Sequence, residues 1–152
     1  MKNKFDLIIY DFDGVMTDNK VYLSETGAET VLCNRSDGLA VSMISSMGYK
    51  QIIISTEKNN IVQLRAKKLN IVAFNNISNK SQILSKIVSE GNYDFNKTVY
   101  IGNDLNDFDA MKLCGFRLCP SDSCNEIKEL SNYELPVKGG NGVIRYFFKH
   151  FF

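Results

Sequence analysis

Short apolar runs alternate along the chain with segments in which apolar residues recur every three or four positions. The runs FDLIIY, QIIIST, NIVAF, TVYIG and GFRLC predict buried strands, since continuous apolar stretches of this length suit strands covered on both faces. Between them, DGLAVSMISSMG, NNIVQLRAKKL, SQILSKIVSEG and DFDAMKLCG predict amphipathic helices, several closed by a glycine. Strand–helix alternation with short connections predicts an α/β fold. It would be a Rossmann-like parallel sheet with helices on both faces, forming one domain over residues 1–152.

One stretch breaks the alternation. NKVYLSETGAETVLCN carries β-branched and aromatic residues on either side of SETGAE, which predicts a β-hairpin at about 19–34 with Gly27 in the turn. A hairpin straight after the first strand can cover a site, dock on another subunit, or simply edge the fold. The tail VIRYFFKHFF holds four phenylalanines and Tyr146, too many to leave in water. They belong against the chain's own core or across an interface.

Composition narrows the partners. Lysine and arginine nearly balance the acids at a net charge of +1, so no basic field for nucleic acid is expected. No window approaches a membrane span, and the first apolar stretch meets acids too early for a signal peptide. Cys33, Cys114, Cys119 and Cys124 form no CxxC pair, and His150 is the single histidine. We read the cysteines as small buried hydrophobes in a reducing, cytoplasmic setting rather than as a zinc set.

The chemistry begins at LIIYDFDGVMTD. In an open α/β sheet, ligands bind at the carboxyl ends of the strands. Asp11 and Asp13 leave the first strand there, and a buried carboxylate costs several kcal/mol unless something offsets its charge. A hard cation such as Mg²⁺, which takes oxygen ligands and substrate phosphate, would do so. A second acidic group follows TVYIG: Asn103, Asp104 and Asp107. These residues suit metal ligation, and they equally suit the capped first turn of a helix. Ser55 and Thr56 close a third strand, where hydroxyls and backbone N–H groups at a helix start can cradle phosphate or merely cap. Lys80 precedes a further helix. A carboxylate, a metal, a hydroxyl and a cation at successive strand ends together fit phosphoryl transfer, which relies on positioning and charge neutralisation.

In order, DFDGVMTD, Ser55, Lys80 and GNDLND resemble the motifs of the haloacid dehalogenase (HAD) superfamily of phosphatases, over nearly the whole chain. CNRSDGLA, ISTEKNNIVQLRAKKL, YIGNDLND and KGGNG resemble its capless branch. That branch contains 3-deoxy-D-manno-octulosonate 8-phosphate phosphatases and N-acylneuraminate or 2-keto-3-deoxynononate 9-phosphate phosphatases. The resemblance is greatest to the phosphatase-like domain associated with acylneuraminate cytidylyltransferases.

The resemblance implies a HAD-like fold without a cap domain, and roles for particular residues. Asp11 is implied as nucleophile, Asp13 as general acid and base, and Ser55 and Lys80 as phosphate ligands. Mg²⁺ would be held by Asp11, the Asp13 carbonyl and Asn103, with Asp107 behind them and Asp104 beside them. Asn103 stands where an aspartate is common, which removes one negative charge. Gly14 and Thr56 would border the substrate, and Glu57, Arg65 and Lys68 would contact a nine-carbon sugar acid. From spacing alone, Arg65 and Lys68 share a helix face that could as well be solvated.

The substrate implied is a nonulosonate 9-phosphate, with octulosonate 8-phosphate as the alternative. A weakly active assembly module of a cytidylyltransferase pathway is a further one. The branch also implies a homotetramer in which the hairpin of one subunit covers its neighbour's cleft.

Overall fold

The computed structural model describes residues 4–152. Six strands form one parallel sheet: β1 (Leu7–Tyr10), β4 (Lys50–Ile54), β5 (Val72–Phe74), β6 (Thr98–Ile101), β7 (Phe116–Pro120) and β8 (Tyr133–Leu135). Their order is β5-β4-β1-β6-β7-β8, every neighbouring pair parallel. The chain leaves β1 towards β4 and β5, then returns to β6 and builds outwards on the other side. The order therefore reverses between β1 and β6, and their carboxyl ends frame the crevice where such sheets bind ligands.

Alternation along β1 divides its side chains between two cores. Ile8 and Tyr10 enter one, with Val41 and Ile44 of α1 (Arg35–Ser46), Val62 and Ala66 of α2 (Ile61–Leu69), and Val143, Ile144 and Phe147 of α6 (Val143–Phe151). Leu7 and Ile9 enter the other, with Leu84 and Val88 of α3 (Lys80–Gly91), Met111 of α4 (Phe108–Leu113) and Ile127 of α5 (Asn125–Leu130). All four residues of β1 are fully buried, as a strand covered on both faces requires. The five strands and four helices expected from the pattern are all present. α5, β8 and α6 were not anticipated.

The helix ends differ in detail from the expectation. Gly48 follows α1 with φ 85°, but α2 and α3 end on left-handed asparagines, Asn70 (φ 55°) and Asn92 (φ 53°). Asparagine tolerates this conformation better than other side chains do. The aromatic tail turns back on the chain's own core: Phe147 is buried, and Phe5 meets Phe116 edge-to-face at 5.1 Å and Phe152 at 5.7 Å.

The hairpin is present as β2 (Tyr22–Leu23) and β3 (Glu29–Thr30), antiparallel, with Gly27 at φ 82° in the turn. It forms its own two-stranded sheet, and Val21, Tyr22, Leu23 and Leu32 are exposed on it. Among the cysteines, Cys114 and Cys119 are buried as expected, while Cys33 and Cys124 are only partly so. Among the described residues no helix is long and apolar enough to cross a membrane.

Candidate active site

Asp11 is the first residue beyond β1. Its backbone N–H continues the sheet by donating to Ile101 O at 2.9 Å, which fixes the residue between β1 and β6. The chain then turns sharply, with Met16 N donating to Phe12 O at 2.8 Å and Phe12 N donating to Asp11 Oδ1 at 2.7 Å. Gly14 sits in this turn at φ 85°, and a Cβ there would collide with the Asn103 carboxamide. Only glycine permits both the angle and the approach.

Lys80, the first residue of α3, is buried. Its ammonium lies 2.7 Å from Asp11 Oδ1 and 2.8 Å from Asp107 Oδ1. Asn79 caps the helix by accepting from Gln82 N, so Lys80 enters the crevice from a fixed helix start. Asp107 is fully buried and shared among several donors. Tyr100 Oη donates to its Oδ1 at 2.9 Å, and Asn103 N donates to its Oδ2 at 3.0 Å. Asp107 thus ties the loop after β6 to Lys80.

Burial pushes the Asp11 carboxyl well above the usual carboxylate range and the Asp107 charge adds to this, with Lys80 opposing. Burial alone would lower the Lys80 pKa, but Asp11 and Asp107 reverse that and raise it. Two carboxylates around one ammonium leave a buried excess of negative charge.

The atoms next to this excess suit a cation. One terminal atom of the Asn103 carboxamide lies 2.9 Å from both the Asp13 carbonyl oxygen and Asp11 Oδ2. With the amide oxygen in that position, three oxygens face one another. Neighbouring ligands of an octahedral magnesium ion, at 2.0–2.1 Å from the metal, stand about 2.9 Å apart. The oxygen set, its spacing and the local charge therefore fit magnesium. Among the described residues no group of three or more His, Cys, Asp and Glu side chains offers a rival site.

The Asp13 side chain is partly exposed and accepts from Thr17 Oγ1 at 3.2 Å. Burial raises its pKa, Thr17 opposes this, and the Glu57 charge raises it further. Its proton is therefore held longer than an ordinary aspartate would hold it. Ser55 is buried at the end of β4, its hydroxyl accepting from Glu57 N at 3.1 Å. Neither Ser55 nor Thr56 opens a helix, contrary to the expectation. The chain runs on to Ile61 before α2 begins, because the Asn59 and Glu57 side chains first hold a turn. Thr56 is exposed and accepts from Asn106 Nδ2 at 3.2 Å.

Asp104 takes the capping role that its position also suggested: its carboxylate accepts from Leu105 N at 2.8 Å and caps a single 3-10 turn, Leu105–Asp107. Arg65 and Lys68 line one open cavity of about 400 Å³ with Arg35, Gly38 and Leu69, but Glu57 is not part of that lining. Arg65 is steadied by donating from Nη2 to Asn34 O at 3.1 Å. Burial raises the pKa of the partly buried Cys33 thiol, with the Arg65 charge opposing this and the Asp13 charge adding to it.

Three contributors were missed in the sequence. Thr17 and Tyr100 stood inside quoted motifs as unremarked polar groups, and Arg35 lies in CNRSDGLA. The KGGNG loop, one of the motifs quoted from the sequence, packs directly on the Asp11 turn. Gly140 N donates to Val15 O at 3.0 Å, Gly139 N to Asp122 Oδ1 at 2.9 Å, and a Cβ on Gly139 would strike Gly14 O.

A parallel α/β sheet with a carboxylate, a buried lysine and a magnesium-type oxygen set at its switch point defines a hydrolase of the phosphoryl-transfer type. The chain belongs to the haloacid dehalogenase-like hydrolases, whose family model matches residues 44–147. It is 27% identical over 140 residues to the 3-deoxy-D-manno-octulosonate 8-phosphate phosphatase of Salmonella typhi, covering 91% of this chain and 74% of that protein. It is 26% identical over 147 residues to N-acylneuraminate cytidylyltransferase A of Danio rerio, covering 95% of this chain but only 34% of that protein.

Among solved structures, a HAD family hydrolase from Streptomyces avermitilis superposes with a TM-score of 0.92 at 31% identity, over 94% of this chain and 82% of the other. The 3-deoxy-D-manno-octulosonate 8-phosphate phosphatase of Moraxella catarrhalis, solved with magnesium, phosphate and KDO, also gives 0.92. Its identity is 26%, over 96% of this chain and 84% of that one. Among the described residues no cap domain is inserted into this fold, which superposes on these neighbours over nearly its whole length.

Proposed function

We propose that this hydrolase is a Mg²⁺-dependent phosphatase of a sugar-acid phosphomonoester, working through an aspartyl-phosphate. The observation that carries the reading is the buried Asp11–Lys80–Asp107 bridge beside the three facing oxygens. Asp11 attacks phosphorus, and its new O–P bond forms as the ester P–O bond breaks. Asp13, its proton retained by burial, hands that proton to the leaving sugar oxygen. Asp13 then takes a proton from the attacking water, the acyl phosphate bond breaks, and Asp11 and inorganic phosphate are released. Lys80 and Ser55 bind the phosphoryl oxygens, and Lys80 offsets their charge. Magnesium, held by the Asp11 carboxylate, the Asp13 carbonyl and Asn103, would neutralise the transferring group.

The substrate class follows from the adjoining cavity. Arg35, Arg65 and Lys68 suit a substrate carboxylate, which a guanidinium can grip with two hydrogen bonds. Glu57, close enough for its charge to raise the Asp13 pKa, can accept from sugar hydroxyls near the scissile end. We read the set as fitting a nonulosonate 9-phosphate. The octulosonate 8-phosphate reading has the support of the bacterial phosphatase relatives.

A phosphate-release screen over eight- and nine-carbon ulosonate phosphates, with and without Mg²⁺, decides between them. Clear preference for the octulosonate removes the argument from Glu57, Arg65 and Lys68. A protein that binds Mg²⁺ yet hydrolyses none of them would instead be an assembly module, the reading that the amide at Asn103 favours.

The exposed apolar hairpin supports a homotetramer in which it covers a neighbouring cleft. Sedimentation would show the assembly state. The unpaired thiols suit a cytoplasmic location.

A further inference from the structure

The carboxamide of Asn103 faces two acceptors, the Asp13 carbonyl and Asp11 Oδ2, each 2.9 Å from the same terminal atom. Its other terminal atom lies against Gly14 and faces only donors, so an NH₂ group there goes unmatched. Oxygen and nitrogen of a carboxamide are nearly equal in size, so a half-turn of the amide exchanges an acceptor for a two-hydrogen donor without moving other atoms. The side chain is buried, so water cannot readily substitute for either arrangement.

We propose that Asn103 works in two positions: with a cation present its oxygen is a ligand, and without one its NH₂ group turns inward and hydrogen-bonds Asp11 Oδ2 and the Asp13 carbonyl in the cation's place. The inference rests on the magnesium reading of the site. An aspartate at 103 has no such second position, because a third oxygen facing two others is repelled without a cation. Asparagine thus lets the metal-free chain keep its two loops joined. Magnesium must displace two hydrogen bonds on arrival, so it binds more weakly and adds little to stability. Gly14 is part of the device, since its missing side chain gives the turning amide room.

The test follows the Asn103 side-chain NH₂ by NMR in the whole chain, its resonance identified by loss in Asn103→Asp. Without metal, its protons should be protected from exchange. On adding Mg²⁺ their chemical shifts should move as the hydrogen bonds to Asp11 and Asp13 are lost and the group turns towards Gly14. In parallel, thermal unfolding and calorimetric Mg²⁺ titration compare the two proteins. Metal-free Asn103→Asp should melt below wild type and gain far more from Mg²⁺, binding it about tenfold tighter, the scale on which groups around a metal act.

An unprotected metal-free amide overturns the proposal, whether or not Mg²⁺ binds. Equal Mg²⁺ stabilisation of both proteins also overturns it. A protected amide with no Mg²⁺ binding by either protein would overturn both the two-position device and the magnesium reading.

Discussion

Lys80 stands 2.7 Å from Asp11, although 69 positions separate them in the chain. The contact exists because α3 starts at the carboxyl edge of the sheet, pointed at the exit of β1. Removing one partner of a buried ion pair leaves the other uncompensated. Lys80→Met should therefore destabilise the fold by about 3–5 kcal/mol in denaturant unfolding. Phosphate release should fall roughly a hundredfold or more, as it does when a preorganised electrostatic group is lost.

Asp13 holds its proton longer than a free aspartate, through burial and then Glu57. In the proposed mechanism the acid form gives the proton to the leaving group, so sugar release should fall as pH rises through this raised pKa. Asp13→Asn should abolish that limb of the pH–rate profile and slow turnover by about 10²–10⁴-fold. Mass spectrometry under these conditions should show how much of the chain carries one phosphoryl group on Asp11.

Asp37 is buried in the first turn of α1 and accepts from Arg145 N at 2.9 Å, capping α6. Its pKa is pushed up to about 6, first by burial, against the usual 3.8. The folded state thus binds this proton more tightly than the unfolded chain, so the contribution is most favourable below 3.8 and declines as pH rises to 6. The decline is at most about 3 kcal/mol, at 1.36 kcal/mol per unit. Asp37→Asn should flatten the stability profile across that window, which unfolding from pH 3.5 to 7 would reveal. A profile that keeps its slope assigns the titration to another group.

Arg65 offers its guanidinium to the basic cavity, and hydrogen bonds to charged groups are worth about 1.5–3 kcal/mol. Arg65→Ala should raise KM for an ulosonate phosphate by about 10- to 100-fold. It should leave KM for a small aryl phosphate without a carboxylate nearly unchanged. Equal loss on both substrates would show that Arg65 supports the fold, not the sugar acid.

Gly139 backs directly on the Asp11–Gly14 turn. Gly139→Ala would drive a methyl group into Gly14 O and crowd Thr17 O. It should lower both Tm and kcat, since backbone atoms cannot yield as a side chain would.

Asp11, Asp13, Lys80 and Asp107 were legible because each follows an apolar run or opens a helical pattern, where a charge has no packing role. Tyr100 was not legible: an aromatic in a strand reads as core, and only the sheet register turns its hydroxyl towards Asp107. Ser55 and Thr56 were misplaced at a helix start because a capped turn and a capped helix use the same residue types. β8 escaped notice at three residues, two of them exposed. α6 escaped although Val143, Ile144, Phe147 and Phe151 recur at helical spacing, because an aromatic tail reads first for where it packs and not for its period.

The strap that closes over the Asp11 turn comes from residues 139 and 140, and β1 lies between β4 and β6 in the sheet. The Asp11 turn and the two glycines that hold it lie far apart in the chain and meet only once the sheet between them has closed. The position of this carboxylate is therefore a property of the whole fold and not of its own segment.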